Sequence, residues 1–223
     1  MTATMLDRRG DVFVLSLGDD ENRFNPESCT AIEQALAEVE AAEAPRALVT
    51  TATGKFWSNG LDLEWLGAHP DEVQPFVTQV HRMFSGFLGA SVPTVAAIQG
   101  HAFAAGAMLA ACHDQAVMRS DRGYWCVPEA DIGIPFTPGM TALLKGRLPV
   151  RTAHEAMVTA RRYGGADAVA AGIVDEAVAE EQVVDRAVER AQALASKQPE
   201  TLATIKRRLH AGALDALAAP QQL

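Results

Sequence analysis

The stretch Thr94-Val-Ala-Ala-Ile98-Gln-Gly100-His-Ala-Phe-Ala-Ala105-Gly-Ala-Met108 changes character twice. Thr94 to Ile98 is a short, almost wholly apolar run carrying β-branched residues, the mark of a buried strand. Gln99-Gly100 breaks it, and small residues lead into an Ala-rich helix that begins near Ala105. A strand that turns through glycine into a helix is half of a βαβ crossover.

The same succession recurs on either side. Ala47 to Thr51 reads as a buried strand, Gly54 to Gly60 as the loop after it, and Glu64 to Pro75 as a second loop. A helix is expected from about Pro75 to Leu88, because Phe76, Val80, Met83, Phe84 and Phe87 share one side. Upstream, Val12, Val14 and Leu17 follow the Arg9-Gly10 turn and predict a hairpin from about Thr4 to Leu17. Asn25 is placed to cap and Pro26 to open a helix in which Ile32, Leu36 and Val39 recur. Downstream, Gln115 to Ser120 and Tyr124 to Cys126 read as short strands around an Asp121–Gly123 turn. The order predicts right-handed crossovers with sequential strands in parallel. After Gly139 the helical stretches Met140–Gly146, Thr152–Ala160, Asp167–Ala171, Val183–Ser196 and Pro199–His210 follow. Residues 1–139 are therefore expected to form an α/β core and residues 140–223 a helical C-terminal region, without a fixed-period repeat.

Composition narrows the function. The 223 residues are 48% hydrophobic and 21% charged, a globular profile with room for one main core. Nineteen basic against 28 acidic residues give a net charge of -9, which disfavours a nucleic-acid partner. A small anionic ligand is still compatible, since backbone N–H groups or a few cations hold phosphate locally. Cys29, Cys112 and Cys126 are odd in number and lack C-x-x-C spacing, so the expectation is a cytoplasmic protein with neither disulfides nor zinc. The N-terminal segment turns polar too soon for a signal peptide, and no apolar run reaches the ~18 residues of a membrane span. The final Gln221-Gln222-Leu223 lacks the Ser-Lys of a peroxisomal address.

Several motifs fail. Gly54-Lys55 is preceded five places earlier by Val49 and followed by Phe56, so it is no P-loop. Ser58-Asn59-Gly60 lacks the first glycine of a nucleophile elbow. Cys112-His113-Asp114 are consecutive and do not easily converge on one metal, so no metal site is expected. Among the six histidines, His101 alone adjoins a glycine turn between strand and helix.

Three segments remain: Gly54-Lys-Phe-Trp-Ser-Asn-Gly-Leu-Asp-Leu63, Gln99-Gly-His-Ala-Phe-Ala-Ala-Gly-Ala-Met108 and Val127-Pro-Glu-Ala-Asp-Ile-Gly-Ile134. Together they resemble the crotonase, or enoyl-CoA hydratase/isomerase, superfamily, and the resemblance extends over nearly the whole chain. It implies an α/β fold of stacked ββα units in a spiral, with a helical C-terminal region. It also implies an oxyanion hole for a thioester carbonyl, with the N–H of Leu61 and the N–H of Ala105 as donors. Small residues and a helix N-terminus suit that role, because they admit a ligand to the main chain and favour a developing negative charge.

The family's hydratases usually carry two glutamates. Here the third-segment position is Glu129, but the helix position is Met108, which lines an acyl pocket or the core and accepts no proton. A single carboxylate suffices for an isomerase, which takes a proton from C2 of a 3-enoyl thioester and returns one at C4. The resemblance is closest to monofunctional Δ3,Δ2-enoyl-CoA isomerases, also through Asp131-Ile-Gly-Ile134 and Gly172-Ile-Val-Asp175, and implies fatty-acid β-oxidation chemistry. Glu129 sits among Trp125, Val127, Pro128, Ile132 and Ile134, where desolvation raises a carboxyl pKa; Asp131 is read as structural. Coenzyme A, as part of the acyl-CoA substrate, is expected against the main chain near Phe56, Trp57, Ser58 and Asp62, with no separate cofactor. Lys206, Arg207 and Arg208 are read either as phosphate contacts or as a solvated helix face. A homotrimer or a dimer of trimers is implied. Slow hydration, other thioester chemistry on the same scaffold and a silent acyl-CoA-binding protein are the rival expectations.

Overall fold

The computed structural model describes residues 5–220; Thr4, where the hairpin was expected to begin, lies outside them. The strands are β1 (Met5–Arg9), β2 (Val12–Ser16), β3 (Ala47–Thr51), β4 (Phe56–Ser58), β5 (Thr94–Ile98), β6 (His101–Phe103), β7 (Gln115–Arg119), β8 (Trp125–Cys126) and β9 (Glu176–Val178). The helices that cover them are α1 (Pro26–Ala41), α2 (Leu63–Ala68), α3 (Val73–Gly89), α4 (Ala105–Cys112) and α5 (Glu129–Ile132). Beyond these come α6 (Pro138–Arg147), α7 (Val150–Thr159), α8 (Gly165–Ala170), α9 (Val183–Leu194), α10 (Pro199–Leu209) and α11 (Ala211–Ala218).

Two sheets organise the chain. The larger runs β1-β2-β3-β5-β7-β9, antiparallel only at β1–β2, and the smaller, β4-β6-β8, is parallel. Each of β3, β5 and β7 gives one strand to the large sheet and then turns into β4, β6 or β8 of the small one before a helix returns the chain. Repetition of that step stacks three ββα layers with Val49 beside Val95 and Ala96 beside Ala116. The turn leaves no room for side chains: a Cβ on Gly100 would overlap the carbonyl of Lys55 in the layer below.

Alternate residues of the large sheet enter different cores, which explains its apolar strands. Phe13, Leu15, Leu48, Ala96 and Met118 join the main core with α1, α3 and α4, whereas Val12, Val14, Val49, Val95 and Val117 pack under Val183, Ala187 and Ala191 of α9. The α1 start is as expected, Asn25 accepting from Ser28 N and Ser28 Oγ accepting from Asn25 N, with Pro26 at the first helical position.

Three local expectations need correction. The expected loop at 54–60 contains β4, and that at 64–75 contains α2 and a 3₁₀ turn, Pro70–Glu72, with α3 starting at Val73. Short elements carry too few residues for a period to show. The region after residue 139 also contributes β9, which pairs with β7 and extends the large sheet.

Candidate active site

All three strands of the small sheet run the same way, so their C-terminal ends meet at one edge. There the three sequence segments converge: β4 leads to Leu61, β6 to Ala105 and β8 to Glu129. Parallel α/β sheets commonly bind ligands at this edge, because each strand delivers a loop and a helix N-terminus to it.

The first two turns touch. A Cβ on Gly60, whose φ is 83°, would lie 2.8 Å from Ala104 Cβ and 3.1 Å from Ala105 N. Leu61 forms a parallel bridge with Phe24, in which Phe24 N donates to Gly60 O at 2.7 Å and Asp62 N to Phe24 O at 2.8 Å. That bridge uses its neighbours' groups and leaves the Leu61 N–H facing the other way, without an acceptor among the described residues. Ala105 is the first residue of α4, where an N–H has no intrahelical partner. Ala104 before it adopts φ 50° and ψ -126°, a conformation costly for an L-residue, and its N–H donates to Cys126 O at 3.0 Å. The strained residue thereby ties the second turn to the strand that leads to Glu129.

Glu129 opens the short helix α5 immediately after Pro128, a turn later than a strand end. It is 7% exposed, and its Oε2 has no hydrogen-bond partner among the described residues. Burial pushes the carboxyl up to about 7, opposed only by its own backbone N–H. Met108 lies one turn along α4 from Ala105 and is buried in the main core. Asp131 and Glu64 are exposed.

The side chains expected near coenzyme A brace the first turn. Phe56 packs on His101 and Phe103, with ring centroids 5.4 and 6.4 Å away. Trp57 is fully buried, its Nε1 donating to Thr50 O at 3.3 Å. Ser58 Oγ donates to Asn22 O at 2.8 Å and accepts from Gly60 N at 3.2 Å. Asp62 caps α2, accepting from Trp65 N at 3.0 Å. Asn22 was missed in the sequence: from φ 47° its Nδ2 donates to the carbonyls of Phe56 and Trp57. Its only signal was asparagine's tolerance of positive φ.

Lys206 is not a free phosphate contact. It is 4% exposed and bound to Asp114 at 2.9 Å and Val92 O at 3.3 Å. Cys112, His113 and Asp114 are engaged separately, with Met108 O, with Leu109 O and Thr50 Oγ1, and with Thr94.

The enoyl-CoA hydratase/isomerase family model matches residues 8–223. The chain belongs to this family. Its architecture is that of the crotonase fold, and family membership carries with it thioester chemistry on enoyl-CoA substrates. It is 36% identical over 219 residues to Enoyl-CoA delta isomerase 3 of Arabidopsis thaliana, covering 92% of this chain and 91% of the plant protein. Carnitinyl-CoA dehydratase of Escherichia coli K12 is 33% identical over 162 residues, or 72% of this chain and 61% of that one. Among solved structures, an enoyl-CoA isomerase of Mycobacterium tuberculosis superposes with a TM-score of 0.87 at 29% identity, covering 96% of this chain and 93% of that chain.

Proposed function

We propose that this family member is an enoyl-CoA isomerase that shifts a 3-enoyl-CoA double bond to the 2-position. The observation that carries this reading is the carboxyl of Glu129, the only buried Asp or Glu among the described residues, while the α4 position one turn past Ala105 is Met108, which accepts no proton. Ionised, Glu129 takes the C2 proton; the thioester oxygen gains negative charge and is held by the N–H groups of Leu61 and Ala105; the protonated carboxyl then delivers a proton to C4. The chain binds, polarises and moves one proton between two carbons of the same substrate, so no water need be activated. Its coenzyme A portion runs along the main chain near Phe56, Trp57, Ser58 and Asp62, as part of the substrate. The similarity to plant delta isomerases agrees with this assignment.

Hydration is the second reading, and the similarity to a dehydratase is what favours it. It asks for a second group to position water, and Met108 offers none. The two are separated by assaying a 3-enoyl-CoA and a 2-enoyl-CoA side by side. Isomerisation is expected to exceed hydration by ~100-fold or more, the usual contribution of a positioned acid or base. Equal rates would overturn the isomerase assignment, and tight acyl-CoA binding without turnover would make the chain a binding protein.

A further inference from the structure

Where the layers turn from the large sheet into the small one, they enclose a cavity of about 290 Å³ whose walls include Lys55, Gln99, Gly100, Arg119, Arg122 and Glu180. It lies at the start of β4, the opposite end from Leu61. Its cations are not equivalent. Arg119 binds Asp121 through two nitrogens, at 2.7 and 3.0 Å, and Glu180 at 2.6 Å, so its charge is answered. Lys55 and Arg122 have no ion-pair partner among the described residues, although the chain as a whole is strongly acidic.

One further feature belongs to the cavity wall. Gln99 is buried, and its Nε2 donates to Phe56 O at 3.1 Å while its Oε1 has no partner among the described residues. A buried acceptor left unpaired is costly unless a ligand or water supplies a hydrogen. Next in the chain to Gly100 of the cavity wall, the His101 imidazole is held below its usual range by burial first and then by the charges of Lys55, Arg122 and Arg162. Phe56 underlies the Lys55 ammonium at 5.1 Å and limits its freedom.

We propose that this corner cavity is a binding site for the phosphate group of a small ligand. Lys55 and Arg122 neutralise the anion, and Gln99 Oε1 accepts a hydrogen from a phosphate O–H or a neighbouring hydroxyl. The volume is at the small end of ligand pockets, which suits a phosphate or pyrophosphate group better than a whole nucleotide. The site does not depend on the reaction assigned to Glu129.

Calorimetric titration of the full chain with inorganic pyrophosphate at low salt tests it. Saturable binding is expected, weakened on the order of tenfold or more in the double variant Lys55→Gln, Arg122→Gln. Added sodium chloride should weaken it as well. The double variant Lys145→Gln, Lys197→Gln, which removes two exposed cations elsewhere, should bind as the wild type does. Competition with coenzyme A identifies the source: displacement makes the phosphates of coenzyme A the occupant, and no displacement makes it a separate phosphorylated molecule. No saturable binding by the wild type, equal affinity in the folded Lys55/Arg122 variant, or an equal loss in the Lys145/Lys197 control would each overturn the proposal.

Discussion

Glu129 holds an acid in a place where ionising it is unfavourable, and this has consequences for both rate and stability. Glu129→Gln keeps size and shape but cannot act as a base. Isomerisation should fall by ~100- to 10,000-fold while acyl-CoA affinity, measured by calorimetry, stays nearly constant. In the wild type, turnover should rise as pH increases through about 7, because the base must be ionised. Stability should move the other way. The folded carboxyl titrates near 7 and the unfolded one near 4.5, so between those values the folded state binds more protons and stability falls with rising pH. The loss is on the order of 3 kcal/mol, and denaturant titrations should find it absent from Glu129→Gln. At this scale Glu129 stood out in the sequence only through the family resemblance of its Val-Pro-Glu segment. The sequence did not expose Asn22, whose partners lie 34 and 35 residues away, nor that Lys206 is consumed by Asp114. Those roles depend on contacts between layers, which no local pattern encodes.

Among the elements, the turn between β4 and α2 is a tightly constrained part of the candidate site. Gly60→Ala places a methyl group against Ala104 and demands φ 83° of an L-residue, so the turns must separate. A shift near 1 Å between the two proposed donors should lower kcat about 100-fold, with far less effect on the melting temperature. The last long helices obey a different constraint. Lys206 anchors α10 to the core through Asp114, which keeps its bonds from Thr94 when the lysine is lost. Lys206→Met should therefore destabilise by on the order of 2 kcal/mol, less than a fully buried pair, since Asp114 is partly exposed. Long elements such as α1 and α3 were legible because their apolar faces repeat over several turns. The three-residue β4 and six-residue α2 were not, and they shape the first half of the site.

For the whole molecule, assembly is the remaining expectation. Val150 is 87% exposed and Leu209 72%, on helices of the C-terminal region that the family resemblance makes a surface for other copies. Sedimentation at micromolar concentration should give a mass that is a multiple of three times 23.7 kDa; a monomer alone would remove the trimer from the proposal. A different consequence follows from α9, which covers one face of a sheet whose strands begin at residue 5. During synthesis those strands emerge well before their cover. Until residues 183–194 leave the ribosome, Val12, Val14, Val49, Val95 and Val117 form an apolar surface with nothing over it, a state prone to stick to other chains or to chaperones. Nascent chains arrested at residue 182 should therefore be protease-sensitive and chaperone-bound, and chains arrested far enough beyond residue 195 for α9 to emerge should not.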